Sequence, residues 1–437
     1  MKPGAFNRFL IAQLVLIATS PLFAQIRSSP HTNSTEELKF VVIVSRHGVR
    51  SPTGKTDQLN QYSAQPWPGW SVPPGYLTEH GAKLMTLFGA YDRELLAMQG
   101  LLSSSGCADA ERISILADSD QRTRETGKAL ASGLLPGCPI PIHALPEGTP
   151  DPLFHSIEAG VGHPDKLIAA ASVSGRIGNN PAGLVEAYRP QLQAMEEVLA
   201  GCREGTTCSN PEKSLFDIPA SLTPGAKDHL VDLKSPLGTA ATMTENFLLE
   251  YTEGFDKAQV GWGRIDRNKL RELLQLHTAS ADIERRSSYI ARAQSSNLIS
   301  HILNSMQQAV AQKPVAGALS RPTDRLLILV GHDTNLSNVS GALGLSWLID
   351  GRRDDTPPGG ALVFELWKNT AKNNFSVRTF YTAQTLDQMR NATPLNAGNP
   401  PERVPVYVPG CGQSDTSCEW NGFQHSLRTG IDSQFVE

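Results

Sequence analysis

Two unbroken apolar runs mark the centre of the predicted fold. Residues 40–44 and 326–330 contain only aliphatic and aromatic side chains. Continuous runs of this length are typical of strands that are buried on both faces of a parallel sheet. Residues 112–118 predict a third strand, and charged residues follow all three within a few positions. The pattern therefore predicts a parallel sheet whose carboxyl edge is rich in charge.

Helical periodicity fills most of the remaining chain, and strand signals are weak between residues 152 and 285. The predicted helical segments are 79–99, 164–173, 183–200, 239–252, 268–279 and 287–312. Near the C-terminus, residues 361–367 and 375–382 are expected to form an antiparallel pair. We therefore predict an α/β fold with a mostly parallel central sheet flanked by helices and an inserted all-helical domain.

The change of pattern near residue 150 sets the predicted domain boundaries. Residues 37–150 and 285–437 would form the α/β catalytic domain, and residues 151–284 a helical insertion that shapes a substrate cleft. The 437 residues, 40% hydrophobic and 19% charged, are enough to bury a large core. A net charge of −4 gives no general attraction to nucleic acid or anionic lipid, so a local basic cluster must attract any anionic substrate.

Residues 1–24 have the parts of a secretory signal peptide. Lys2 and Arg8 precede an apolar stretch at 9–18, and Ala24 is suited to the position before cleavage. A membrane anchor needs about twenty apolar residues, and this run is shorter. Residues 25–36 form a polar leader. We expect a periplasmic or secreted protein that has no membrane contact after signal cleavage.

Six cysteines fit an exported protein, because disulfides persist outside the cytosol. Two pairs of neighbouring cysteines would each close a local loop, and the other two would pair across a strand–helix unit. Six cysteines allow fifteen pairings, so the assignment is an inference. The expected pairs are Cys107–Cys138, Cys202–Cys208 and Cys411–Cys418. Metal binding by these cysteines has no support from a C-x-x-C motif.

The first apolar strand ends in a histidine between two arginines, Arg46, His47 and Arg50. An isolated histidine after a strand is most often a hydrogen-bonded core residue. Arginines are permanently charged, however, and cations beside His47 disfavour the imidazolium, so the ring would stay a neutral nucleophile in mild acid. Guanidinium groups also bind phosphate oxygens in a bidentate manner. Because ligands of open α/β sheets bind beyond the carboxyl ends of strands, this loop predicts a phosphate site.

The strand at 112–118 is followed by Arg122 and Arg124. Either side chain is placed to reach the same crevice as His47, because parallel strands end at the same edge of a sheet. The alternative for each is a solvated arginine on the first turn of the next helix.

The strand at 326–330 delivers His332 and Asp333. As structural residues, Asp333 would cap the following helix and His332 would pack. As metal ligands they would join His47, but the arginines beside His47 would repel a dication. As a catalytic pair, His332 would bind a phosphate oxygen and Asp333 would protonate the departing alcohol, which is a poor leaving group without a proton.

Several short motifs together resemble the histidine acid phosphatases, and more closely their bacterial periplasmic branch of phytases and glucose-1-phosphatases. The likeness covers the chain from about residue 38 to its end. The motifs are R-H-G-x-R-x-P at 46–52, P-W-P-x-W at 66–70, D-x-D-x-R-T at 118–123, G-W-G-R-I at 261–265, H-D-T-N at 332–335 and T-P-P-G-G at 356–360. The fold implied by this resemblance is the phosphoglycerate-mutase-like sheet with a helical insertion.

The resemblance implies a role for each site residue. His47 would be the nucleophile that forms a phosphohistidine, and Asp333 the general acid. The residues that would hold the phosphoryl oxygens are Arg46, Arg50, Arg122 and His332. Arg122 is preferred over Arg124 because it occupies the arginine position of D-x-D-x-R-T. Neither a metal nor an organic cofactor is implied, because the arginines supply the positive charge.

The resemblance also implies substrate-binding roles for Thr53, Lys55 and Glu245, although Gly54 separates the first two and changes the spacing of the lysine. Residues 276–281 depart from the pattern of the relatives, so one pocket wall differs. The bacterial phytases have a fourth disulfide whose cysteines are absent here, and Gly162 lies near the first expected position. These departures bear on substrate preference more than on chemistry.

We therefore expect a monomeric, exported acid phosphatase that acts on small phosphate esters, with phytate (inositol hexakisphosphate) as its substrate. The alternative within the family is a periplasmic sugar phosphatase that prefers glucose 1-phosphate. H-D-T-N in the second motif favours phytate. A phosphate-ester binding protein without activity is the non-enzyme alternative, and it would be expected to lack the nucleophile or the proton donor.

Overall fold

The computed structural model describes Met1 and residues 35–54, 56–202, 207–226, 229–411 and 417–437. The predicted signal peptide and nearly all of the polar leader therefore lie outside the described residues, as does Lys55. Residues Glu36–Glu437 form one compact unit. Among the described helices, none combines the length and the apolar character needed to cross a bilayer.

The described residues contain twelve strands and eleven α-helices. The strands are β1 Glu36–Arg46, β2 Ile113–Ala117, β3 Ile142–His143, β4 Ser221–Pro224, β5 Val231–Lys234, β6 Leu326–Gly331, β7 Leu348–Ile349, β8 Arg352–Arg353, β9 Ala361–Asn369, β10 Asn374–Ala383, β11 Glu402–Pro405 and β12 Cys418–Glu419. The helices are α1 Glu79–Met98, α2 Gln121–Leu134, α3 Lys166–Arg176, α4 Pro181–Ala187, α5 Arg189–Ala200, α6 Pro236–Glu253, α7 Arg267–Glu284, α8 Ser288–Ala311, α9 Asp333–Leu343, α10 Leu386–Asn391 and α11 Trp420–Gly430.

The central sheet has eight strands, in the order β11-β10-β9-β1-β6-β2-β3 with β12 beside β10. The pairs β1–β6, β6–β2 and β2–β3 are parallel, and these strands hold the three charged loops that the sequence predicted. On the other side of β1 the sheet continues as antiparallel strands, beginning with β9 and β10. The predicted α/β class and the C-terminal antiparallel pair are confirmed.

Strand β1 is buried on both faces, as its unbroken apolar run predicts. Phe40, Val42 and Val44 pack in the core that β1 shares with α8, α9 and α11. Val41 and Ile43 face the opposite core, beneath α1 and α2. Since burying one such side chain stabilises the fold by about 1.5–3 kcal/mol, the two cores fix the register of β1 against β6.

The described part of residues 152–284 contains five α-helices, α3–α7, whose apolar faces contribute to a third core. They also contain a small antiparallel sheet of β4 and β5, which the helical periodicity did not predict. Most side chains of these two strands are exposed or half-buried, so they lack the apolar run by which a strand is found from sequence. The domain boundaries at 151 and 284 stay a prediction, and residues Glu36–Glu437 form one compact unit.

The three predicted disulfides are all present, Cys107–Cys138, Cys202–Cys208 and Cys411–Cys418. Gly162, near the expected position of the missing fourth disulfide, has a φ of +77°. A Cβ there would lie 2.6 Å from Phe435 and 2.7 Å from the carbonyl of Gln434. The fully buried ring of Phe435 thus occupies the space beside Gly162 and packs on Tyr289, at 6.0 Å between ring centroids.

Helices α1 and α2 approach each other closely, and Gly133 permits the contact. A Cβ at Gly133 would lie 2.0 Å from the carbonyl oxygen of Thr86 in α1. Gly175 in α3 offers a contrast, because a Cβ there would meet nothing within 4 Å and its φ is ordinary for a helix.

We expect Gly133→Ala to lower the free energy of unfolding by about 1–3 kcal/mol, because the helices must separate to admit the methyl group. Gly175→Ala is the matched control and should be neutral or stabilising by up to about 1 kcal/mol, since alanine has the higher helix propensity. Urea denaturation followed by circular dichroism measures both. Equal effects of the two substitutions would show that the α1–α2 contact does not depend on Gly133.

Candidate active site

The three charged loops meet at the carboxyl edge of the parallel strands. The register pairs Arg46 at the end of β1 with Gly331 at the end of β6. The amide of His47 donates to the carbonyl of Gly331 at 2.9 Å, which joins the two loops directly. The rings of His47 and His332 are 5.6 Å apart between centroids and inclined by 70°. The fold therefore brings these two distant histidines together.

The turn at 356–360, the T-P-P-G-G motif, supports the His47 loop through backbone hydrogen bonds. The amide of Gly359 donates to the carbonyl of His47, and the amide of Arg46 donates to the carbonyl of Gly360, both at 2.9 Å. Gly359 has a φ of +73°, which favours glycine. A Cβ at Gly360 would lie 2.3 Å from the hydroxyl of Tyr381. The two glycines allow the turn to fit between the loop and β10.

His47 presents one defined nitrogen for chemistry. Its Nδ1 lies 2.8 Å from the carbonyl oxygen of Gly48, and a carbonyl can only accept, so Nδ1 carries the proton. Nε2 is then the nitrogen with the free electron pair. Burial, followed by the charges of Arg46 and Arg50, holds the pKa of His47 well below its usual value of 6.5. The ring is therefore neutral in mild acid, with the lone pair of Nε2 available.

Arg50 and Arg122 line the cleft beside His47, as expected for phosphate-binding residues. Arg122 is placed by Asp120, whose carboxylate lies 2.5 Å from its Nη2. The same Nη2 lies 3.4 Å from Nδ1 of His332. Arg124 does not line this cleft, so the geometry favours Arg122 of the two candidates.

Arg46 takes a different position from the other two arginines. It is fully buried, donates from Nη1 to the carbonyl of Thr356 at 2.5 Å and from Nη2 to Glu245, and does not line the cleft. Glu245 also contacts Arg50, at 3.5 Å, and lies 3.7 Å from Nε2 of His277. Glu245 thus holds two of the arginines in place while one side of it faces the cleft.

The Nε atoms of Arg46, Arg50 and Arg122 are buried and have no hydrogen-bond acceptor among the described residues. Buried donors are rarely left without a partner, and an oxyanion would supply one. Some buried arginines elsewhere in the described chain share this feature. The observation therefore supports a phosphate site only together with the arrangement of the three side chains around His47.

His332 is held by a carboxylate that the sequence analysis did not assign to the site. Asp118, at the end of β2, is fully buried and accepts from Nε2 of His332 at 2.6 Å and from Nε2 of His155 at 3.0 Å. Burial opposes ionisation of Asp118, but the hydrogen bonds from His155 and His332 keep its pKa below the usual value. Asp118 is therefore a carboxylate shared by two imidazoles.

Asp333 begins α9, lines the same cleft as His47 and is paired with Arg285. Although burial would raise its pKa, Arg285 and Arg46 hold the pKa of Asp333 well below the usual value. The side chain is a carboxylate as long as no bound anion offsets the charge of these cations. An anionic substrate bound beside the same cations would weaken their hold on Asp333 and favour its protonation.

The cleft has a volume of about 630 Å³, within the usual range for small-molecule sites. Thr53 lines it, as expected for a substrate-binding residue, whereas Lys55 lies outside the described residues and its role stays a prediction. Ser280 and Ala281, from the segment that departs from the relatives' pattern, form part of the α7 wall.

Four site residues were missed from the sequence: Asp118, His155, His277 and Arg285. Asp118 had a signal, because it opens the D-x-D-x-R-T motif at a strand end. The other three lie in or beside the helical region, where the sequence carries no motif or strand end that would predict contact with the edge of the sheet.

One group of possible metal ligands lies at the base of the cleft. Atoms of Asp118, Asp120, His155 and His332 all fall within 4.8 Å of one another. Arg122 already pairs with Asp120 and lies beside His332, and its positive charge opposes a dication there. The residues fit a hydrogen-bonded carboxylate–imidazole network better than a metal centre.

Known proteins are similar to this chain in sequence and in fold. A family model described as "Histidine phosphatase superfamily (branch 2)" matches residues 37–382. The phytase AppA of Escherichia coli is 36% identical over 419 residues, covering 94% of both chains. A glucose-1-phosphatase of Salmonella typhimurium is 29% identical, covering 95% of this chain and 98% of the relative.

Solved structures of phytases are similar to this chain in fold. The Hafnia alvei phytase in complex with tartrate superimposes with a TM-score of 0.85 at 33% identity, covering 93% of this chain and all of that one. The same phytase in complex with myo-inositol hexakis sulphate gives a TM-score of 0.83, with the same coverage and identity.

We expect the His47 ring to stay neutral well below pH 6.5, because burial and the charges of Arg46 and Arg50 lower its pKa. An unfolded chain takes up this proton near pH 6.5 and the native protein does not, so His47 makes unfolding easier as the pH falls below that value. Nitrogen NMR of histidine-labelled protein would follow the ring, with the signal assigned from a His47→Gln variant. Titration of His47 close to pH 6.5 would contradict the prediction.

Proposed function

This chain belongs to branch 2 of the histidine phosphatase superfamily, and we propose that it hydrolyses phytate through a phosphohistidine on His47. The enzyme class, a phosphatase, follows from the family. One observation carries the proposed chemistry. A buried, neutral imidazole lines one cleft together with Arg50, Arg122, His332 and Asp333.

In the first step, the Nε2 electron pair of His47 attacks phosphorus and forms a P–N bond. The bond between phosphorus and the ester oxygen breaks, and the departing oxygen takes a proton from the carboxyl group of Asp333. The Nδ1 hydrogen bond to the Gly48 carbonyl keeps the ring oriented while positive charge develops on it.

In the second step, Asp333 acts in the opposite direction. Its carboxylate takes a proton from water, the water oxygen attacks phosphorus, and the P–N bond breaks to give orthophosphate and neutral His47. His47 is then neutral and Asp333 protonated, as they were before the first step, so the enzyme is ready for another cycle.

The cations around His47 stabilise the transferred phosphoryl group. Arg50 and Arg122 lie at the cleft surface and are placed to contact its oxygens, while Arg46 contributes positive charge from below. Each is held by a carboxylate or carbonyl behind it, so little reorganisation is needed when substrate binds. Arginines therefore supply in this proposal the charge that metal ions supply in many phosphoryl-transfer enzymes.

Three arginines of the cleft lining are available to an anionic substrate, although Glu245, Glu284 and Asp333 also line the cleft. Arg285, with its side chain about one-third exposed, adds another cation to the lining beyond Arg50 and Arg122. Glucose 1-phosphate carries a single phosphate and would use only the innermost cations. Similarity to the E. coli phytase is also higher than to the glucose-1-phosphatases. These points support phytate over the sugar phosphate.

Export and a monomeric state complete the proposal. The N-terminal sequence, with Lys2 and Arg8 before an apolar stretch, supports secretion to the periplasm or beyond. The disulfides Cys107–Cys138 and Cys411–Cys418 fit an oxidising compartment.

Turnover of phytate and glucose 1-phosphate by the purified protein near pH 5 tests the substrate. We expect kcat/KM for phytate to exceed that for glucose 1-phosphate by at least about tenfold, and His47→Ala to abolish both activities. A phosphoenzyme trapped from labelled substrate should be acid-labile and base-stable. A preference for glucose 1-phosphate would instead support the sugar phosphatase, and full activity of His47→Ala would exclude the nucleophile.

Asp333→Asn should separate substrates by leaving group. An alcohol such as an inositol hydroxyl needs a proton to depart, so we expect phytate turnover to fall by about 10²-fold or more. p-Nitrophenolate departs with little help, so the fall with p-nitrophenyl phosphate should stay below about tenfold. The ratio of kcat values for the two substrates measures the effect. Equal losses on both would count against Asp333 as the proton donor.

A further inference from the structure

His155 is an ionisable side chain in the site for which the reaction above has no use. It lines the cleft, donates from Nε2 to Asp118 at 3.0 Å, and lies 5.1 Å from the His332 ring between centroids. Its side chain is about one-third exposed, whereas Asp118 and His332 are buried. His155 is therefore the more exposed of two imidazoles that share one carboxylate.

The segment that carries His155 is fixed to the start of α9. The carbonyl of Phe154 accepts from the side-chain amide of Asn335 at 2.8 Å, and the side chain of Asn335 also accepts from the amide of His332. The His155 amide donates to the carbonyl of Asp151 at 2.7 Å. A single asparagine thus ties the backbone of both histidines together, so their spacing is set by the fold.

Asp118 determines which nitrogen of His332 faces the phosphate site. Because a carboxylate only accepts, Nε2 of His332 must carry the proton of the 2.6 Å hydrogen bond. Nδ1, which lies 3.4 Å from Arg122, is then the atom left for phosphate. In the neutral ring Nδ1 has a lone pair and cannot donate to an anion. His332 can therefore hold a phosphate oxygen only as an imidazolium.

We propose that His155 is a positioning residue that, through the shared Asp118 carboxylate, controls how readily His332 carries the proton with which it holds phosphate. The inference rests on the proposed function, since it takes His332 as a phosphate-binding residue. Asp118 provides one negative charge close to two rings. A charged His155 balances that carboxylate and repels a second imidazolium, whereas a neutral partner leaves the carboxylate to His332.

The surroundings of His155 favour its charged form. The hydrogen bond to Asp118 is the main reason that its pKa is raised, and Glu158 lies 3.6 Å from Nδ1. The ionisable groups that face the two rings are Asp118, Asp120, Asp151, Glu158, Arg122 and His47. His332 meets the opposite balance, because burial and the charges of Arg122 and His155 lower its pKa despite Asp118. His155 thus takes the proton first.

This arrangement predicts that replacing His155 by a neutral donor makes His332 easier to protonate. Glutamine is the suitable substitute, since its amide nitrogen lies about as far from the backbone as Nε2 and can still donate to Asp118. We expect His155→Gln to raise the midpoint of His332 titration by about half a pH unit or more, which is about threefold in proton affinity. Inorganic phosphate should then inhibit the variant at a higher pH than the wild type.

Nitrogen NMR of histidine-labelled, full-length wild type and His155→Gln measures the midpoint directly, with His332 assigned from a His332→Gln variant. Inhibition constants for inorganic phosphate between pH 4.5 and 8, with p-nitrophenyl phosphate as substrate, give a second readout. The control is His143→Gln, an exposed histidine on β3 that should change neither. His155→Ala removes both the donor and the charge, and it should shift the midpoint in the same direction.

An upward shift in His155→Gln supports the inference. An unchanged or lowered midpoint overturns it. The inference is also overturned if His155→Ala weakens inhibition by phosphate equally at every pH and His155→Gln restores that inhibition fully, because a purely structural residue would behave in this way. The NMR titration does not depend on turnover. An inactive wild type would therefore refute the proposed function, whereas an active wild type with an unchanged midpoint in the variant would refute only the role of His155.

Discussion

The site depends on holding several guanidinium groups around one uncharged imidazole. Without compensation, buried cations repel one another and are costly to remove from water. Each arginine here is paired with a carboxylate. Glu245 contacts both Arg46 and Arg50, and Asp120 contacts Arg122. These pairs offset part of the repulsion among the cations, and Glu245 does so while it lines the cleft itself. The carboxylates are therefore as necessary as the arginines to the electrostatics of the site.

The parallel strands make this arrangement possible. Neighbouring strands β1, β6 and β2 end at one edge, and each delivers a loop whose first residues are polar. The backbone hydrogen bond from His47 to Gly331 and the turn at 356–360 then fix the loops to one another. Positions that are hundreds of residues apart are held at hydrogen-bond distances because rigid strands, rather than flexible segments, set their spacing.

The helical region contributes a wall rather than the reacting groups. Helix α6 supplies Glu245, α7 supplies His277, and Arg285 follows α7 directly. These side chains reach the arginines and Asp333 from the other side of the cleft, so the wall takes part in the charge balance of the site. Changes in this region are thus able to alter both the shape of the cleft and the protonation of residues on the sheet.

The sequence alone determined the long strands of the central sheet and the disulfide pairs, and it proposed six site residues, but the two-residue strands β3 and β12 were not predicted. Buried strands are continuous apolar runs, and His47 and His332 stand in short motifs directly after them. The exposed pair β4–β5 lacked such a run and was missed. Only the tertiary structure decided that Arg46 lies beneath the cleft, that Asp118 joins His155 to His332, and that Arg285 pairs with Asp333. These contacts join elements far apart in the chain, and the packing of helices against the sheet, which no local pattern encodes, sets their distances.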